Sequence, residues 1–412
     1  MDRRFFVAFT GALLAARSAF GAGEQTAAQI LGAGGDSWFA DWLDGFRARA
    51  LADGWSQTLL DTAFAGVAPD PRVTALDARQ PEFARPVSDY VKGAMSDARI
   101  AEGRAKRAAI SALPRIEATY GVPWDILIAI WAMESGFGAI QGDFDVVRSL
   151  ATLAASGRRR GWAETELTAC LRILSSGEAS RGRLRGSWAG AMGQTQLLPS
   201  AYLAYAVDAD GDGRRDIWGS AADALASAAN LLSHSGWRRD EGWAREVSLE
   251  RGFDFSLSEG PKEPPSWWAT KGARPVDGLG WRASDAAAAC VLVLPSGAGG
   301  PAFLLLPNHF VIRTYNNSLA YALAVGILAE RLAGGGALRA AWPQETPLTL
   351  TERMDAQTAL AKLGFNPGEP DGVIGVGTRQ ALRAWQKSQG LIADGYLSPE
   401  MVRRLRAAGQ RA

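Results

Sequence analysis

Residues 121–138 read GVPWDILIAIWAMESGFG, an apolar stretch that ends at one glutamate and two glycines. Pro123 suits the first turn of a helix. Ile126, Ile130 and Glu134 then follow at positions i, i+4 and i+8, so Glu134 extends the apolar face of a predicted helix. Burial there disfavours the charged carboxylate and raises its pKa, as a general acid requires. The alternative is a structural glutamate that caps or pairs at a helix end.

The glycines after the glutamate predict open space beside it. Gly136 and Gly138 carry no side chain, so they leave room for a bulky ligand next to Glu134. The sequence therefore indicates an apolar helix that delivers one carboxyl group to a binding site.

The composition limits the class of partner. The chain has 412 residues, with 44 Lys and Arg against 43 Asp and Glu, and its formal net charge is +1. A balance so close to neutral excludes the broad basic surface that nucleic acid or acidic lipid would select. The length predicts two or three domains. A neutral or zwitterionic partner fits best.

The N-terminus has the features of an export signal. Residues 1–22 combine Arg3 and Arg4 with an apolar run from Phe5 to Ala16 and small residues after it. The paired arginines are compatible with twin-arginine export, but such pairs are common in any signal peptide, so the export route stays open. No later run reaches about 18 apolar residues, so no membrane-spanning helix is expected. We expect a soluble protein of the periplasm.

The chain has two cysteines, Cys170 and Cys290, and both lie in apolar patterns. An oxidising compartment permits a disulfide between them. Two separate buried thiols are the favoured interpretation.

The pattern along the chain predicts a mainly α protein with an α+β character. Residues 36–236 repeat apolar residues at helical spacing, including one long run at 88–121. Residues 247–315 predict short strands, with a hairpin turn at LPNHFVI, 306–312. The next helix, at 318–332, is expected to return to the helical domain, which makes the strands an inserted lobe.

A small C-terminal module follows a predicted linker at 334–349. Residues 350–408 predict three helices, and Asp-Gly turns at 371–372 and 394–395 each precede a helix. The two turns indicate a weak internal repeat.

The sequence DADGDGRRDIW, 208–218, resembles a calcium-binding loop. Asp208, Asp210 and Asp212 stand at positions 1, 3 and 5 of an EF-hand pattern, and Arg214 offers its backbone carbonyl at position 7. Position 12 is Gly219 rather than the usual glutamate. Two interpretations stay open: a structural calcium site, or an acidic turn without metal.

Several motifs together resemble the lytic murein transglycosylases of the membrane-bound B type, a family with a lysozyme-like helical core. The resemblance extends over about residues 36–333. The matching segments are QPEF at 80–83, RIEATYGVPWDILIAIWAMESGFG at 115–138, SLATLA at 149–154, the run from GSWAGAMGQTQ to RRDIW at 186–218, and TYNNSLAYALAV at 314–325.

The resemblance implies the chemistry of Glu134. It would protonate the glycosidic oxygen between N-acetylmuramic acid and N-acetylglucosamine, and would then take the proton of the muramyl 6-hydroxyl. That hydroxyl closes a 1,6-anhydro ring, with the substrate's own acetamido group in place of a second carboxylate. No cofactor is required for this reaction.

The resemblance also implies substrate and metal contacts. Asn316 would hold the acetamido group, and Asp223 would be the last ligand of the calcium loop, one residue displaced from the family pattern. The residues implied in substrate binding are Ser187, Gln194, Gln196, Tyr315, Asn316 and Tyr321.

The C-terminal segment resembles the peptidoglycan-binding type 1 module, which would hold the enzyme on glycan strands. Its alternative is a helical module that binds protein, and other cell-wall enzymes remain open as partners. For the whole chain two rivals stay open: a hydrolytic muramidase on the same fold, and a non-catalytic cell-wall-binding or scaffold protein.

Overall fold

The computed structural model describes residues 37–79 and 85–411. They form two compact units: one holds the residues up to 79 with 101–235, and the other holds 85–100 with 236–411. The predicted signal peptide and the QPEF motif at 80–83 lie outside the described residues. Among the residues that are described, no helix has the length and apolar character to cross a membrane.

Residues 37–235 are mainly helical, as the apolar spacing predicts. The helices are α1 Ser37–Ala52, α2 Gln57–Phe64, α3 Pro71–Arg79, α4 Val87–Ala94, α5 Asp97–Ala109, α6 Leu113–Tyr120, α7 Trp124–Ser135, α8 Val146–Ala155, α9 Arg160–Ser175, α10 Pro199–Tyr205 and α11 Ala221–His234. Strands β1 Phe144–Asp145 and β2 Arg185–Gly186 form a short antiparallel pair. Helix α4 and the start of α5 belong to the second unit.

Helix α7 is the central helix of the first unit. It contacts α6 and α11, and an unbroken run of its side chains is at most 4% exposed, Ile126 to Ile130. A helix that is apolar on all sides is stable only when buried, and each such side chain contributes about 1.5–3 kcal/mol. Pro123 is the N-cap and Trp124 begins the helix. Asp125 in the first turn suits the positive end of the helix dipole.

The predicted helical run at 88–121 is divided into three helices. Helix α4 ends at Ala94, and α5 begins after Ser96, whose hydroxyl accepts the Arg99 N–H at 3.2 Å. Helix α6 begins at Leu113 with Pro114 in its first turn. A serine cap and a proline each favour a new helix start over a continuous helix.

A four-stranded antiparallel sheet lies in the second unit, as the sequence predicts for this region. The strands are β3 Ala244–Leu249, β4 Ala273–Pro275, β5 Val291–Val293 and β6 Ala302–Leu305, in the order β4-β3-β6-β5. Helix α12, Pro265–Thr270, contacts β4. Trp268, Leu292 and Leu304 are each 0% exposed in the core beneath the sheet. We call residues 244–305, which hold this sheet, α12 and the loops between them, the sheet lobe.

The predicted hairpin turn at 306–312 is wrong, because the segment forms helix α13, Pro307–Ile312. Pro307 lies in the first turn, where its fixed φ and missing N–H cost nothing. The Asn308 side chain then holds the preceding loop, accepting the Arg238 N–H at 2.8 Å and donating to the Glu241 carbonyl at 2.9 Å. Helix α14, Leu319–Leu332, contacts α4 and also belongs to the second unit rather than to the first.

The C-terminal module has the three predicted helices. They are α15 Leu350–Lys362, α16 Val376–Ser388 and α17 Pro399–Gly409. Leu360, Leu382 and Leu405 are each 0% exposed in its core.

The two Asp-Gly turns of the module share one hydrogen-bond pattern. In the first turn the Gln357 amide donates to Asp371 Oδ1 at 3.1 Å and accepts the N–H of the following glycine at 2.7 Å. In the second turn Gln386 makes the same pair of bonds, at 3.0 Å to Asp394 Oδ1 and at 2.8 Å from the following glycine. This matching geometry supports the predicted internal repeat.

Cys170 and Cys290 are buried free thiols, one in each unit. Burial raises the pKa of both, in the case of Cys290 to about 12. Such thiols are packing residues rather than nucleophiles.

Candidate active site

Glu134 lies in the last turn of α7 and is only 1% exposed. The helix ends there because three successive residues adopt left-handed backbone angles: Gly136, Phe137 and Gly138 have φ of 56°, 60° and 83°. A positive φ is unusual for phenylalanine, and such strained residues cluster at functional sites. The Phe137 ring packs edge-on against Trp131, with centroids 5.6 Å apart. The chain thus reverses directly beside the carboxyl group.

The Ser135 hydroxyl ties this helix end to the loop that carries Gln194. It donates to the Gln194 carbonyl oxygen at 2.5 Å and accepts the Gly138 N–H at 2.8 Å. Ser135 is 2% exposed, so both bonds are made away from water. Sequence reasoning missed this residue, although a serine between the acid and two glycines was a usable signal.

Gln194 connects α7 to the segment at residue 218. Its Oε1 accepts the Trp131 indole N–H at 3.1 Å, and its Nε2 donates to the Trp218 carbonyl at 3.2 Å. A Cβ atom at Gly138 would lie 2.5 Å from Gln194 Oε1. Gly138 is therefore needed for the approach of Gln194, in addition to any room it leaves for a ligand.

Gln196 holds a strained position in the same loop. Its φ is 52°, and its Nε2 donates to the Gln141 and Gly193 carbonyls at 3.0 and 2.8 Å. Its Oε1 has no hydrogen-bond partner among the described residues. A buried acceptor of this kind calls for a partner from outside the protein chain, such as water or a sugar hydroxyl.

Ser187 closes a tight turn after β2. Its hydroxyl oxygen accepts the Ala191 N–H at 3.0 Å, and its own N–H donates to the Ala191 carbonyl at 2.8 Å. A Cβ atom at Gly186 would lie 2.0 Å from the Ala191 carbonyl oxygen. The glycine-rich sequence GSWAGAMGQ is thus a compact folded turn in the unit of Glu134.

Tyr315, Asn316 and Tyr321 lie in the second unit, between α13 and the first turn of α14. Asn316 is 4% and Tyr321 is 1% exposed. Ser318 caps α14, because its hydroxyl accepts the Tyr321 N–H at 3.4 Å. The structure thus places Ser187, Gln194 and Gln196 in the unit of Glu134. It places Tyr315, Asn316 and Tyr321 in the other unit.

Glu166 is a second buried glutamate of the first unit, at 4% exposure. Its carboxylate accepts the Ser200 N–H at 2.9 Å and the Ser200 hydroxyl at 2.7 Å. Burial raises the pKa of Glu166, and the two bonds from Ser200 oppose that rise. These bonds join α9 to the start of α10, so Glu166 has a structural role.

The acidic loop brings three of its predicted ligands together. One carboxylate oxygen each from Asp208, Asp210 and Asp212 lies within 4.8 Å of the others, and all three side chains are exposed. Asp208 accepts the N–H groups of Gly211 and Gly213 at 2.6 and 2.8 Å. Three convergent carboxylates fit a hard cation such as calcium.

Asp223 does not belong to that group of three carboxylates. It is 0% exposed, and its two oxygens accept the N–H groups of Ala209 and Asp216, each at 2.8 Å. In this arrangement Asp223 braces the loop from inside, and its role as a metal ligand stays a prediction. The Arg214 N–H donates to Asp212 Oδ1 at 2.8 Å, and the predicted role of its carbonyl as a ligand stays a prediction.

Two family profiles match the chain. A transglycosylase SLT domain matches residues 38–330, and a peptidoglycan binding domain matches residues 349–405. The chain belongs to the transglycosylase SLT domain family. This membership confirms the resemblance to lytic murein transglycosylases, and the mainly helical structure with small antiparallel sheets confirms the predicted fold class.

Two solved structures are similar over most of the chain. SltB3 from Pseudomonas aeruginosa, in complex with NAG-anhNAM-pentapeptide, is 47% identical with a TM-score of 0.85, covering 89% of this chain and 99% of that chain. The Escherichia coli lytic transglycosylase Slt35, in complex with calcium, is 27% identical with a TM-score of 0.61, covering 72% and 93%.

A protein of Escherichia coli is also similar. Membrane-bound lytic murein transglycosylase B of Escherichia coli (strain K12) is 34% identical over 230 residues. The matched region is 54% of this chain and 60% of that protein, so this chain spans less than two thirds of its relative's length.

Proposed function

We propose that this chain is a lytic transglycosylase that cleaves the β-1,4 bond between N-acetylmuramic acid and N-acetylglucosamine in peptidoglycan. The observation that carries the proposal is Glu134, 1% exposed at a helix end and beside the loop of Gln194 and Gln196. A carboxyl group removed from water favours its neutral form, which is the form that donates a proton. Family membership supports the same reaction.

Glu134 acts first as an acid and then as a base. It gives its proton to the glycosidic oxygen while the bond from that oxygen to the muramyl C1 breaks. The carboxylate then takes the proton of the muramyl C6 hydroxyl, whose oxygen attacks C1 and closes a 1,6-anhydro ring. The acid is regenerated and no water is consumed. The substrate's 2-acetamido group stabilises the positive charge at C1, so one carboxylate suffices.

The surrounding polar residues orient the glycan. Gln196 offers its unpartnered Oε1, and Ser187 retains a hydroxyl proton to donate. Gln194 keeps the helix end in place through its hydrogen bonds to the Trp131 indole and the Trp218 carbonyl. From the resemblance we assign substrate contacts also to Tyr315, Asn316 and Tyr321, with Asn316 on the acetamido group.

The acidic loop is proposed as a structural calcium site. Asp208, Asp210 and Asp212 supply the convergent carboxylates, and a bound cation would neutralise their mutual repulsion. Calcium is present in the Slt35 structure, which supports this assignment. The ion has no part in the bond cleavage, for which Glu134 and the substrate provide every group.

The C-terminal module is proposed to hold the enzyme on its insoluble substrate. Its profile match at residues 349–405 supports glycan strands as the partner. We place the catalytic domain at 36–333, the connecting segment at 334–349 and the module at 350–408. The cell envelope is the compartment where such a substrate is found, and residues 1–22 remain our proposed export signal.

Product mass separates the proposed reaction from hydrolysis. A transglycosylase releases muropeptides with anhydro ends, each one water lighter than the reducing sugar that a muramidase would leave. SltB3 has been solved with NAG-anhNAM-pentapeptide, which favours the anhydro product for this relative. Reducing ends from purified sacculi would instead support the muramidase, and absence of any release would support a binding protein.

A further inference from the structure

A buried charge cluster joins the C-terminal module to the sheet lobe within the second unit. Glu259, from the lobe, faces Arg379 and Arg383, both on α16 of the module. Arg379 Nε donates to one Glu259 oxygen at 2.8 Å, and a second Arg379 nitrogen and Arg383 Nη2 complete the arrangement. The Glu259 and Arg383 side chains are only 9% and 6% exposed. Paired guanidinium groups of this kind are strong and geometrically specific.

The backbone of Glu259 is itself strained. Its φ is 58°, which a glutamate rarely adopts, and its N–H donates to the Leu292 carbonyl of β5 at 2.8 Å. The sheet therefore holds the residue in a costly conformation that presents its carboxylate to the module. Strain of this kind persists where the surrounding structure imposes it.

A second contact involves the second Asp-Gly turn of the module. Gly297 of the lobe has a φ of 70°, and a Cβ atom there would lie 2.7 Å from Asp394 Oδ2 and 2.7 Å from Tyr396 Cβ. The neighbouring Ala298 N–H donates to the same Asp394 oxygen at 3.0 Å. The lobe thus fits closely around this turn, and Gly297 is required for the fit.

The predicted linker is attached to the same unit. The N–H groups of Arg339 and Ala340 donate to the Glu246 carboxylate on β3 at 3.0 and 2.7 Å. Further along, Glu345 accepts hydrogen bonds from the hydroxyls of Tyr396 in the module and Ser88 on α4. A flexible tether would not make such bonds at both of its ends.

We propose that the sheet lobe is the built-in partner of the module's second repeat, which consists of α16 and the Asp394-Gly395 turn bonded to its Gln386. The Glu259–Arg379–Arg383 cluster keeps the module docked. The two repeats then have different tasks, although their turns share one hydrogen-bond pattern. The second repeat is occupied by the lobe. The rest of the module then binds peptidoglycan, and this consequence rests on the function proposed for the module.

The docking is tested with the full chain carrying Glu259→Gln. A neutral amide cannot balance two guanidinium groups, so the module opens and the connecting segment is released. We expect trypsin to cut after Arg339 at least tenfold faster than in the wild type, and the radius of gyration in solution to increase. The control is Glu250→Gln, which removes an exposed pair with Arg274 on the same sheet and should change neither readout.

A second variant keeps the docking testable if Glu259→Gln fails to fold. Arg379→Gln opens the same contact from the module side, and the double variant with Glu259→Gln should accelerate cleavage no more than the stronger single variant. Additive effects of the two variants, or cleavage and radius equal to the wild type in both, would overturn the docking.

Sedimentation with purified sacculi tests the division of tasks. The opened variants should bind sacculi at least as well as the wild type, because the surface they free is not the wall-binding surface. A tenfold loss of binding in a variant that is folded and open would assign that surface to the wall and overturn the division. A wild-type chain that fails to sediment would overturn the module's proposed role, while the cleavage experiment would still decide the docking.

Discussion

Gly138 is a residue at which one added methyl group would disturb the geometry beside Glu134. In Gly138→Ala the new Cβ would lie 2.5 Å from Gln194 Oε1, at a φ of 83° that alanine disfavours. Gln194 must then move, and its bond to Trp131 is lost. We expect a loss of about 2–3 kcal/mol in unfolding free energy and at least tenfold lower activity.

The matched control is Gly157→Ala. Gly157 has a similar φ of 89° in the same unit, but nothing lies within 4 Å of its added Cβ. It should lose about 1 kcal/mol and keep its activity. Equal effects of both variants on activity would show that the Gln194 contact has no role in catalysis.

Ser135 is predicted to position the acid without touching the substrate. Ser135→Ala removes the bonds to the Gln194 carbonyl and from the Gly138 N–H, which should cost about 1–3 kcal/mol of stability. Because the helix end loosens, kcat should fall more than KM rises. The control is Ser156→Ala, which removes a local bond to the Leu153 carbonyl. A Ser135→Ala enzyme with unchanged kcat would contradict this role.

Among the single elements, the acidic loop gives the clearest prediction. Calcium should raise the midpoint of thermal unfolding. At a hundredfold excess over Kd, its binding adds about 2.7 kcal/mol to the free energy of unfolding. Asp210→Asn should abolish the shift, because it removes one of the three convergent carboxylates. Asp53→Asn, an exposed aspartate outside the loop, should retain it. An unchanged midpoint at millimolar calcium would contradict the site.

Elements whose ends carry local signals could be predicted from the sequence. Helix α7 has Pro123 before it and Gly136 after it, and the structure matches both. The segment LPNHFVI resembles a hairpin turn in sequence but forms helix α13, because the Asn308 side chain bonds to the Arg238 carbonyl, 70 positions away, and such a contact has no local signal. The resemblance implies Asp223 as the last ligand of the acidic loop, but its burial beneath the loop backbone depends on tertiary contacts that the sequence does not show.

At the scale of the whole molecule, acid should undock the C-terminal module. Burial raises the pKa of Glu259, but the hydrogen bonds and charges of Arg379 and Arg383 lower it by more, so the net pKa lies below its usual value. Arg313 adds a further positive charge facing it. A depressed folded pKa means that the stabilisation is complete above the usual value, about 4.3, and is lost as the pH falls through the folded value.

Undocking by acid is measured with pepsin in place of trypsin. The rate of cleavage in the connecting segment is compared at pH 5 and at pH 3. The wild type should become more sensitive in the connecting segment at the lower pH, and Glu259→Gln should be sensitive at both. A Glu259→Gln chain with the same pH dependence as the wild type would show that another group controls the opening.

The large-scale organisation was predictable only in part. The order of motifs indicated a lysozyme-like domain and a C-terminal module, and the family profiles match both. The pairing of Glu259 with Arg379, 120 positions away, has no signal in a single sequence. Long-range ion pairs depend on how separate elements meet, which periodicity and local caps do not specify.

The central claim is that Glu134 is the acid and base of an anhydro-forming cleavage. Its most direct test is mass spectrometry of the muropeptides released from purified sacculi by the wild type and by Glu134→Gln. The matched control is Glu166→Gln, which changes the other buried glutamate of the same unit. We predict anhydro-ended products from the wild type and from Glu166→Gln, and at least a thousandfold less release by a folded Glu134→Gln. Undiminished release by Glu134→Gln, or reducing ends from the wild type, would contradict the claim.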